Sequence, residues 1–360
     1  MVERAKREDL GISFSITTNG VLLDEEKARF IAERGIGVLL SLDGVREAHD
    51  RNRVDAEGRG TWDRVVAALE RLKEAGARNV TIRGTFTPET VSYLFESHRY
   101  FLERYPMYET VLFPAYEGDW NEEVLRVYEE ELTKLGAYYI ARFRAGRPFR
   151  CRLVDDALEW IAGRPPSPEW RPCGLGDRSL AVLPDGRFRS CHRLCTVEDV
   201  PEDWTFGDVW SGIDKVKFER NLDWDIRKRR SEAGYDCSFC PIGPFCHGFC
   251  VAANWQATGD RYTVMKSVCD TKLVEYKVGA LVWGILRHDP RFGRRGNTYG
   301  RPLGFRTWES LRHTFLAARL LADATFLQRG VTTSGAGSPH PKLCHGSPRV
   351  CNNAERRGSV

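Results

Sequence analysis

CSFCPIGPFCHGFC, residues 237–250, sets four cysteines at the spacing Cys237-x2-Cys240-x5-Cys246-x3-Cys250, and Cys269 follows after eighteen more residues. A C-x2-C turn holds two thiolates a few ångströms apart, and cysteines a few residues further on can complete a cage. An isolated cysteine reads as a small buried hydrophobe, whereas a run at this spacing reads as metal ligands. Zinc and iron–sulfur clusters both use four-thiolate sites, and ligand type alone does not separate them. A zinc ribbon usually carries two C-x2-C pairs; here C-x5-C-x3-C stands in place of the second.

Outward from this stretch, the chain of 360 residues has eleven cysteines, none before Cys151, and seven of them fall between positions 191 and 269. The opening MVERAKREDLGIS has no apolar core of the kind a secretory signal needs. The longest apolar stretch, about residues 278–286, is far short of the ~20 residues of a membrane span. The cysteines therefore read as ligands before disulfides, in a cytoplasmic protein with no membrane association. Hydrophobic residues at 42% and charged residues at 29% suit a globular chain with a buried core. The net charge, 54 − 50 = +4, is too small to suggest nucleic acid binding. The length predicts about two domains.

Upstream of the cysteine run, residues 180–191 (LAVLPDGRFRSC) read as a β-hairpin turning at Pro184-Asp185-Gly186, which carries Cys191 at its end. Twelve residues separate Cys173 from Gly186. Such a hairpin can bring a preceding and a terminal cysteine to one metal. The two motifs together supply seven thiolates, enough for one four-ligand and one three-ligand site.

The first 120 residues alternate strand and helix signals. Residues 12–18 (ISFSITT) form a β-rich run that turns at Asn19-Gly20. Asp24 caps a helix, with Glu25 and Glu26 in its first turn and a stop at Gly35. Residues 37–42 (GVLLSL) look like a strand buried on both faces, ending at Asp43-Gly44. A charged loop is expected over 45–60, then a helix capped by Thr61 that buries Val65, Val66, Leu69 and Leu72. Strands are expected at 79–87 and 109–115, with a helix at 89–104 between them. This order argues for an α/β fold with parallel strands and right-handed crossovers. Four such units can be half of a doubly wound sheet or part of a larger (β/α) barrel. Residues 121–163 read as helical, the prolines at 165, 166 and 168 mark a boundary, and a helix at 272–287 closes the cysteine-rich region. A helix at 308–328 and a disordered tail from 329 are expected.

The full cysteine pattern, Cys173…Gly186-x4-Cys191…Cys237-x2-Cys240-x5-Cys246-x3-Cys250…Cys269, resembles the SPASM domain, the auxiliary iron–sulfur module of many radical SAM enzymes. ITTNG at 16–20 and SLDG at 41–44, with His49, Asp50 and Arg53, resemble the third and fourth strand ends of the radical SAM partial barrel. NVTIRGTFT and VLFPA resemble its fifth and sixth strands. The resemblance covers about residues 12–285. It implies an incomplete (β/α) barrel at 1–120 lacking its first strands, a helical linker at 121–168, a SPASM module at 169–287 and an extension at 288–360. It implies two auxiliary [4Fe–4S] clusters, one on Cys237, Cys240, Cys246 and Cys269, the other on Cys173, Cys191 and Cys250. In sulfatase maturases the fourth ligand of the second cluster follows the first cysteine; the comparable position near Ser179 has no cysteine. Either Cys195 supplies it, or an iron is left open for a substrate thiol.

The resemblance also implies that Ser41 and Asp43 face the ribose and carboxylate of S-adenosylmethionine, with Asn19 near them. A capped turn is the competing reading of Ser41 and Asp43, and Asn-Gly is a turn wherever it occurs. Arg53 and Arg83 can pair with a carboxylate, though a solvated surface arginine is the commoner case. His49 and Asp50 read as loop-packing residues. His192 stands where sulfatase maturases carry an aspartate base and can take a proton near neutral pH; the run CHRL at 191–194 looks more like radical SAM peptide maturases. Cys151, Cys344 and Cys351 are read as non-ligands.

The implied activity is radical modification of a peptide or protein side chain, by thioether formation or oxidation at Cys or Ser, with a flavodoxin or ferredoxin as electron donor. The C-x3-C-x2-C loop that would hold a third [4Fe–4S] cluster and S-adenosylmethionine is absent, as is the glycine-rich motif after it. The chain therefore reads as truncated, mis-started or half of a split protein, and as inactive by itself. The alternatives are a non-catalytic iron–sulfur or zinc-binding scaffold, or a subunit completed by another chain.

Overall fold

The computed structural model describes residues 13–162, 180–222 and 225–293. Cys173, Ser179, the prolines at 165–168, the expected helix at 308–328, Cys344 and Cys351 lie outside the described residues.

Four strands, β1 (Ser15–Thr18), β2 (Gly37–Ser41), β3 (Val80–Phe86) and β4 (Glu109–Pro114), form one sheet in the order β1-β2-β3-β4. All three pairings are parallel. Sequential order puts every crossover on the same side, as successive strands of a barrel do, and lacks the reversal that defines a doubly wound sheet. The crossovers carry α1 (Glu25–Arg34), α2 (Arg46–Asn52), α3 (Trp62–Glu74) and α4 (Leu94–Arg104). Helix α1 begins where Asp24 accepts a hydrogen bond from the Lys27 amide and ends at Gly35, whose φ of 64° is left-handed. Helix α3 buries Val65, Ala68, Leu69 and Leu72 against the sheet, while Val66 is half-buried.

Three local readings change. The charged segment after Asp43 is not all loop, because Arg46–Asn52 closes a short helix that buries Ala48 and His49. Thr61 precedes α3 but its hydroxyl does not cap it; the Asp50 carboxylate accepts from the Trp62 amide at 2.8 Å instead. In β2 only Val38 and Leu40 are fully buried, and Leu39 on the opposite face is half-buried. An apolar run thus marks a strand with one sealed face rather than two.

Helices α5 (Glu122–Arg144) and α6 (Arg152–Ala162) follow β4. They share one core with the sheet: Tyr128, Leu132 and Leu135 of α5 and Leu153 and Leu158 of α6 join Leu40, Ile82 and Phe86. Helix α9 (Lys266–Leu286) enters the same core through Val278, Ala280, Val282 and Leu286. The helices on either side of the cysteine-rich segment therefore anchor it to the sheet domain. Gly136 in α5 lets α9 approach, since a Cβ there would stand 3.1 Å from a Val282 methyl.

Between α6 and α9 the elements are small. Strands β5 (Ala181–Val182), β6 (Arg187–Arg189), β7 (Thr205–Asp208) and β8 (Gly212–Ile213) form an antiparallel sheet. The first two are the expected hairpin, with Gly186 left-handed at φ 79°. Helix α7 (Lys215–Leu222), the short parallel pair β9 (Arg230–Ser231) and β10 (Thr263–Val264), and α8 (Val251–Thr258) complete this region. Trp204 is fully buried there with Leu194, Val251 and Ala252. Among the described residues no helix is long and apolar enough to cross a membrane.

Candidate functional site

Cys237, Cys240, Cys246 and Cys269 line one cavity, closed by Arg229, Ser231, Tyr235, Ile242, Phe249, Val264 and Leu273. Three of the thiols come from the loop before α8 and the fourth from the first turn of α9. The turn that follows the C-x2-C pair is closed by the Gly243 amide donating to the Cys240 carbonyl at 2.8 Å. A Cβ at Gly243 would overlap the Cys237 carbonyl oxygen and stand 2.9 Å from that of Cys240, so the turn requires glycine. The Arg229 guanidinium donates to the Gly243 carbonyl and pins the same turn. The Gly248 amide lies 3.5 Å from Cys246 Sγ, and Cys269 Sγ lies 3.6 Å from the Ser231 hydroxyl. Burial raises the Cys246 thiol pKa and pushes that of Cys269 up to about 11, with the Ser231 contact acting against it. A cation held against Cys246 and Cys269 would oppose that rise.

The four thiols ring a space rather than meeting at a point. Among the described residues no three His, Cys, Asp or Glu side chains are close enough to share one metal ion. A single zinc needs four donors at about 2.0–2.3 Å from one centre. An iron–sulfur cluster is larger and takes its cysteines at separate corners. The donor set, all sulfur in a mostly apolar enclosure, fits a cluster and a four-thiolate zinc alike.

A second group of thiols lies at the start of α8. Cys191 ends the β6 strand segment and leads into a single 3-10 turn, His192–Leu194, that delivers Cys195. Cys250 is the residue before α8. Cys191 and Cys250 both pack on the Leu194, Trp204, Val251 and Ala252 cluster. The Arg193 amide lies 3.4 Å from Cys191 Sγ. Burial raises the Cys191 thiol pKa, and Cys250 and Cys195 add to the rise. His192 is exposed, with Nδ1 4.0 Å from Cys191 Sγ. Cys151 stands apart: it is fully buried in the main core, beside Asp155.

At the C-terminal edge of the parallel sheet, Asp43 is buried and its carboxylate holds Arg53 through two contacts, Nε to Oδ2 at 2.8 Å and Nη2 to Oδ1 at 3.0 Å. It also accepts from the Thr85 amide at 2.9 Å. His49 fixes this group. Its Nδ1 accepts from the Asp43 amide at 3.2 Å and its Nε2 meets the Thr61 hydroxyl at 2.9 Å, which in turn donates to the Arg53 carbonyl at 3.1 Å. That chain requires neutral His49 with its proton on Nε2. Burial, with Arg53 nearby, brings its pKa down to about 4 against the opposing pull of Asp43. Arg53 is thus a paired arginine and His49 a buried helical one. With Asn19, Val21, Asn52, Val54 and Thr61, Arg53 lines an open cavity of about 290 Å³. Asn19 also accepts from the Val21 amide at 3.2 Å, as a turn residue. Ser41 ends β2 in register with Arg83. The Asp43 oxygens are spent on Arg53 and Thr85, and Arg53 is the charged residue among those lining the cavity.

Sequence reasoning missed the seam between sheet and cysteine region. There Lys272 of α9 is buried among Phe113, Tyr116, Trp160 and Phe249, its nitrogen 5.3–5.9 Å from each ring centre. It pairs with Glu275 at 2.8 and 2.7 Å, and Tyr128 donates to the same carboxylate at 3.0 Å. Burial opposes the lysine charge, but Glu275 and Tyr116 more than offset it and raise the Lys272 pKa. The only trace in sequence is an i, i+3 Lys-Glu pair in a helix that also carries Lys266, Asp270 and Lys277, and surface helices show such pairs too.

Residues 1–101 match the Radical SAM superfamily. The cysteine-type anaerobic sulfatase-maturating enzyme of Clostridium perfringens is 28% identical over 253 residues, covering 68% of this chain and 65% of that protein. The mycofactocin maturase MftC of Mycolicibacterium smegmatis is 27% identical over 266 residues, covering 71% of this chain and 62% of that protein. The chain thus spans just under two thirds of the length of these curated relatives. A solved structure described as native anSMEcpe with bound AdoMet and Kp18Cys peptide aligns with a TM-score of 0.60 at 22% identity, covering 79% of this chain and 78% of that one. That likeness bears on the fold.

Proposed function

We propose that this chain, a homologue of anaerobic sulfatase-maturating enzymes whose first 101 residues carry the radical SAM match, is an auxiliary-cluster protein of peptide side-chain modification. Cys237, Cys240, Cys246 and Cys269 hold one [4Fe–4S] cluster. Cys191 and Cys250, with Cys173, hold a second. The domain division follows: a partial (β/α) barrel at 1–120, helices at 121–168, a SPASM module at 169–287 and an extension at 288–360. The single observation that carries this reading is the cavity ringed by four thiols.

Such clusters, when bound, supply electron uptake or an anchoring iron. The chain's own residues do the rest. The Gly243 turn spaces the two C-x2-C thiols, and Arg229 holds that turn. Arg53, oriented by Asp43, presents a cation at the cavity that also borders Asn19, suited to a carboxylate such as that of S-adenosylmethionine. Ser41 and Asp43 remain in the proposed S-adenosylmethionine site, with Asp43 also holding Arg53. His192, exposed beside Cys191, is placed to take a proton from a substrate Cys or Ser. A peptide substrate, a flavodoxin or ferredoxin donor and a cytoplasmic location belong to the same proposal. The radical-generating triad is not within these 360 residues, which have no cysteine before Cys151. That observation favours a second reading, a cluster-binding scaffold or subunit completed by another chain.

The test is iron, acid-labile sulfide and zinc after anaerobic reconstitution. Two clusters give about eight irons and eight sulfides per chain. One or two zinc ions without sulfide would sink the cluster reading. Given clusters, addition of a chain carrying the triad separates the outcomes: modification of a Cys-containing peptide supports a subunit of a modifying enzyme, and unmodified peptide supports the non-catalytic scaffold.

A further inference from the structure

We infer that Cys195 is a ligand of the cluster held by Cys191 and Cys250. The inference rests on the cluster reading above and deepens it by assigning a residue outside the seven-cysteine pattern. Three observations carry it. First, the 3-10 turn His192–Leu194 returns the backbone so that Cys195 Sγ lies 4.0 Å from the Cys191 carbonyl oxygen, on the same short loop as the Cys191 thiol. Leu194, between them, is fully buried against the start of α8, where Cys250 sits. The loop is therefore packed down with its two thiols flanking the anchor, rather than lying free.

Second, the backbone on both sides of Cys195 is clamped from below. Arg189, itself 4% exposed, donates one guanidinium nitrogen to the carbonyls of Leu194 and Val197. A buried arginine spent on two main-chain carbonyls costs desolvation and fixes that segment. Third, the loop is tied across to its neighbours: Arg193 Nε donates to Gln256 in α8 at 2.8 Å, and its Nη2 pairs with Glu117 after β4. Three cysteines are thereby presented from one pre-formed loop and one helix start. Pre-organised donors of this kind are what a cluster site needs, because little loop entropy remains to be lost on binding.

The experiment compares reconstituted full-length chain with its Cys195→Ala, Cys195→Ser and Cys240→Ala variants by iron and sulfide content and by EPR. The expected result is about eight irons in the parent and about four in Cys195→Ala, or a three-iron EPR signal in its place. Cys195→Ser, which keeps volume and an oxygen donor, retains iron with an altered EPR signal, and this excludes simple misfolding. Cys240→Ala loses the other cluster, so the double loss is additive. Parent-like iron and EPR in Cys195→Ala would overturn the assignment while leaving the clusters standing. Loss of iron in His192→Ala but not in Cys195→Ala would move the ligand to the histidine. A parent chain without sulfide would overturn the cluster reading itself.

Discussion

Replacing Lys272 with methionine removes one member of the most deeply buried ion pair described. The side chains of Lys272 and Glu275 are 4% and 1% exposed. Methionine keeps most of the volume, so the cavity term is small and the loss is electrostatic. Two short contacts to the carboxylate vanish, and Tyr128 is left as the partner that still donates to it. An uncompensated charge in such a place costs about 3–5 kcal/mol. The four aromatic rings cannot replace the lost cation, since their faces are electronegative. At about 2–4 °C per kcal/mol for a chain of this order, the melting temperature falls by about 6–20 °C. The double variant Lys272→Met/Glu275→Leu removes both charges; beyond the Tyr116 contact that the single variant also loses, it strands the Tyr128 hydroxyl, at about 1–3 kcal/mol. It is therefore more stable than the single variant, with a coupling of about 2–3 kcal/mol in a double-mutant cycle. The assay is urea unfolding of the reconstituted chain. A single variant within ~0.5 kcal/mol of the parent, or a double variant less stable than the single, refutes the reasoning.

Other expectations follow from the same geometry. Gly243→Ala should abolish one cluster, lowering iron from about eight to about four per chain, because its Cβ has no room beside the Cys237 carbonyl; unchanged iron would show that the turn is not needed. Arg53→Ala strands the buried Asp43 carboxylate and should cost about 3 kcal/mol, measured by thermal melting. His49 and His98 are buried, and burial holds both pKa values down at about 4, below the ordinary 6.5. Unfolding lets both take up protons, so stability is intact above about pH 6.5 and falls as pH drops toward 4, by up to about 2.7 kcal/mol per unit for two protons. A His49→Gln/His98→Gln variant should flatten that slope, read from urea midpoints across pH 4–7.

Much of the sheet domain was legible because its signals are local. Asp24 and Gly35 bound a helix by capping chemistry, and the β-rich runs before Asn19-Gly20 and Asp43-Gly44 end where strands end. The hairpin at 180–191 followed from its Pro-Asp-Gly turn. The readings that changed depend on contacts distant in sequence. Thr61 looked like a cap, but its hydroxyl is taken by His49 and Arg53, and Asp50 from α2 does the capping. Arg53 looked like a surface arginine because its partner, Asp43, is ten residues away across a helix that charge content disguised as loop. The cysteine spacing marked the thiol ring, yet nothing in it indicated the Arg229 and Arg189 clamps, which bond to main-chain carbonyls. Such bonds leave no pattern in sequence, since any residue can supply a carbonyl.

Iron and zinc K-edge X-ray absorption on the reconstituted chain tests the central claim most directly. The account predicts an iron site with an all-sulfur first shell and a resolved iron–iron shell, with the iron edge step per chain halved by Cys240→Ala. A zinc edge with four sulfurs at about 2.3 Å and no metal–metal shell would contradict it.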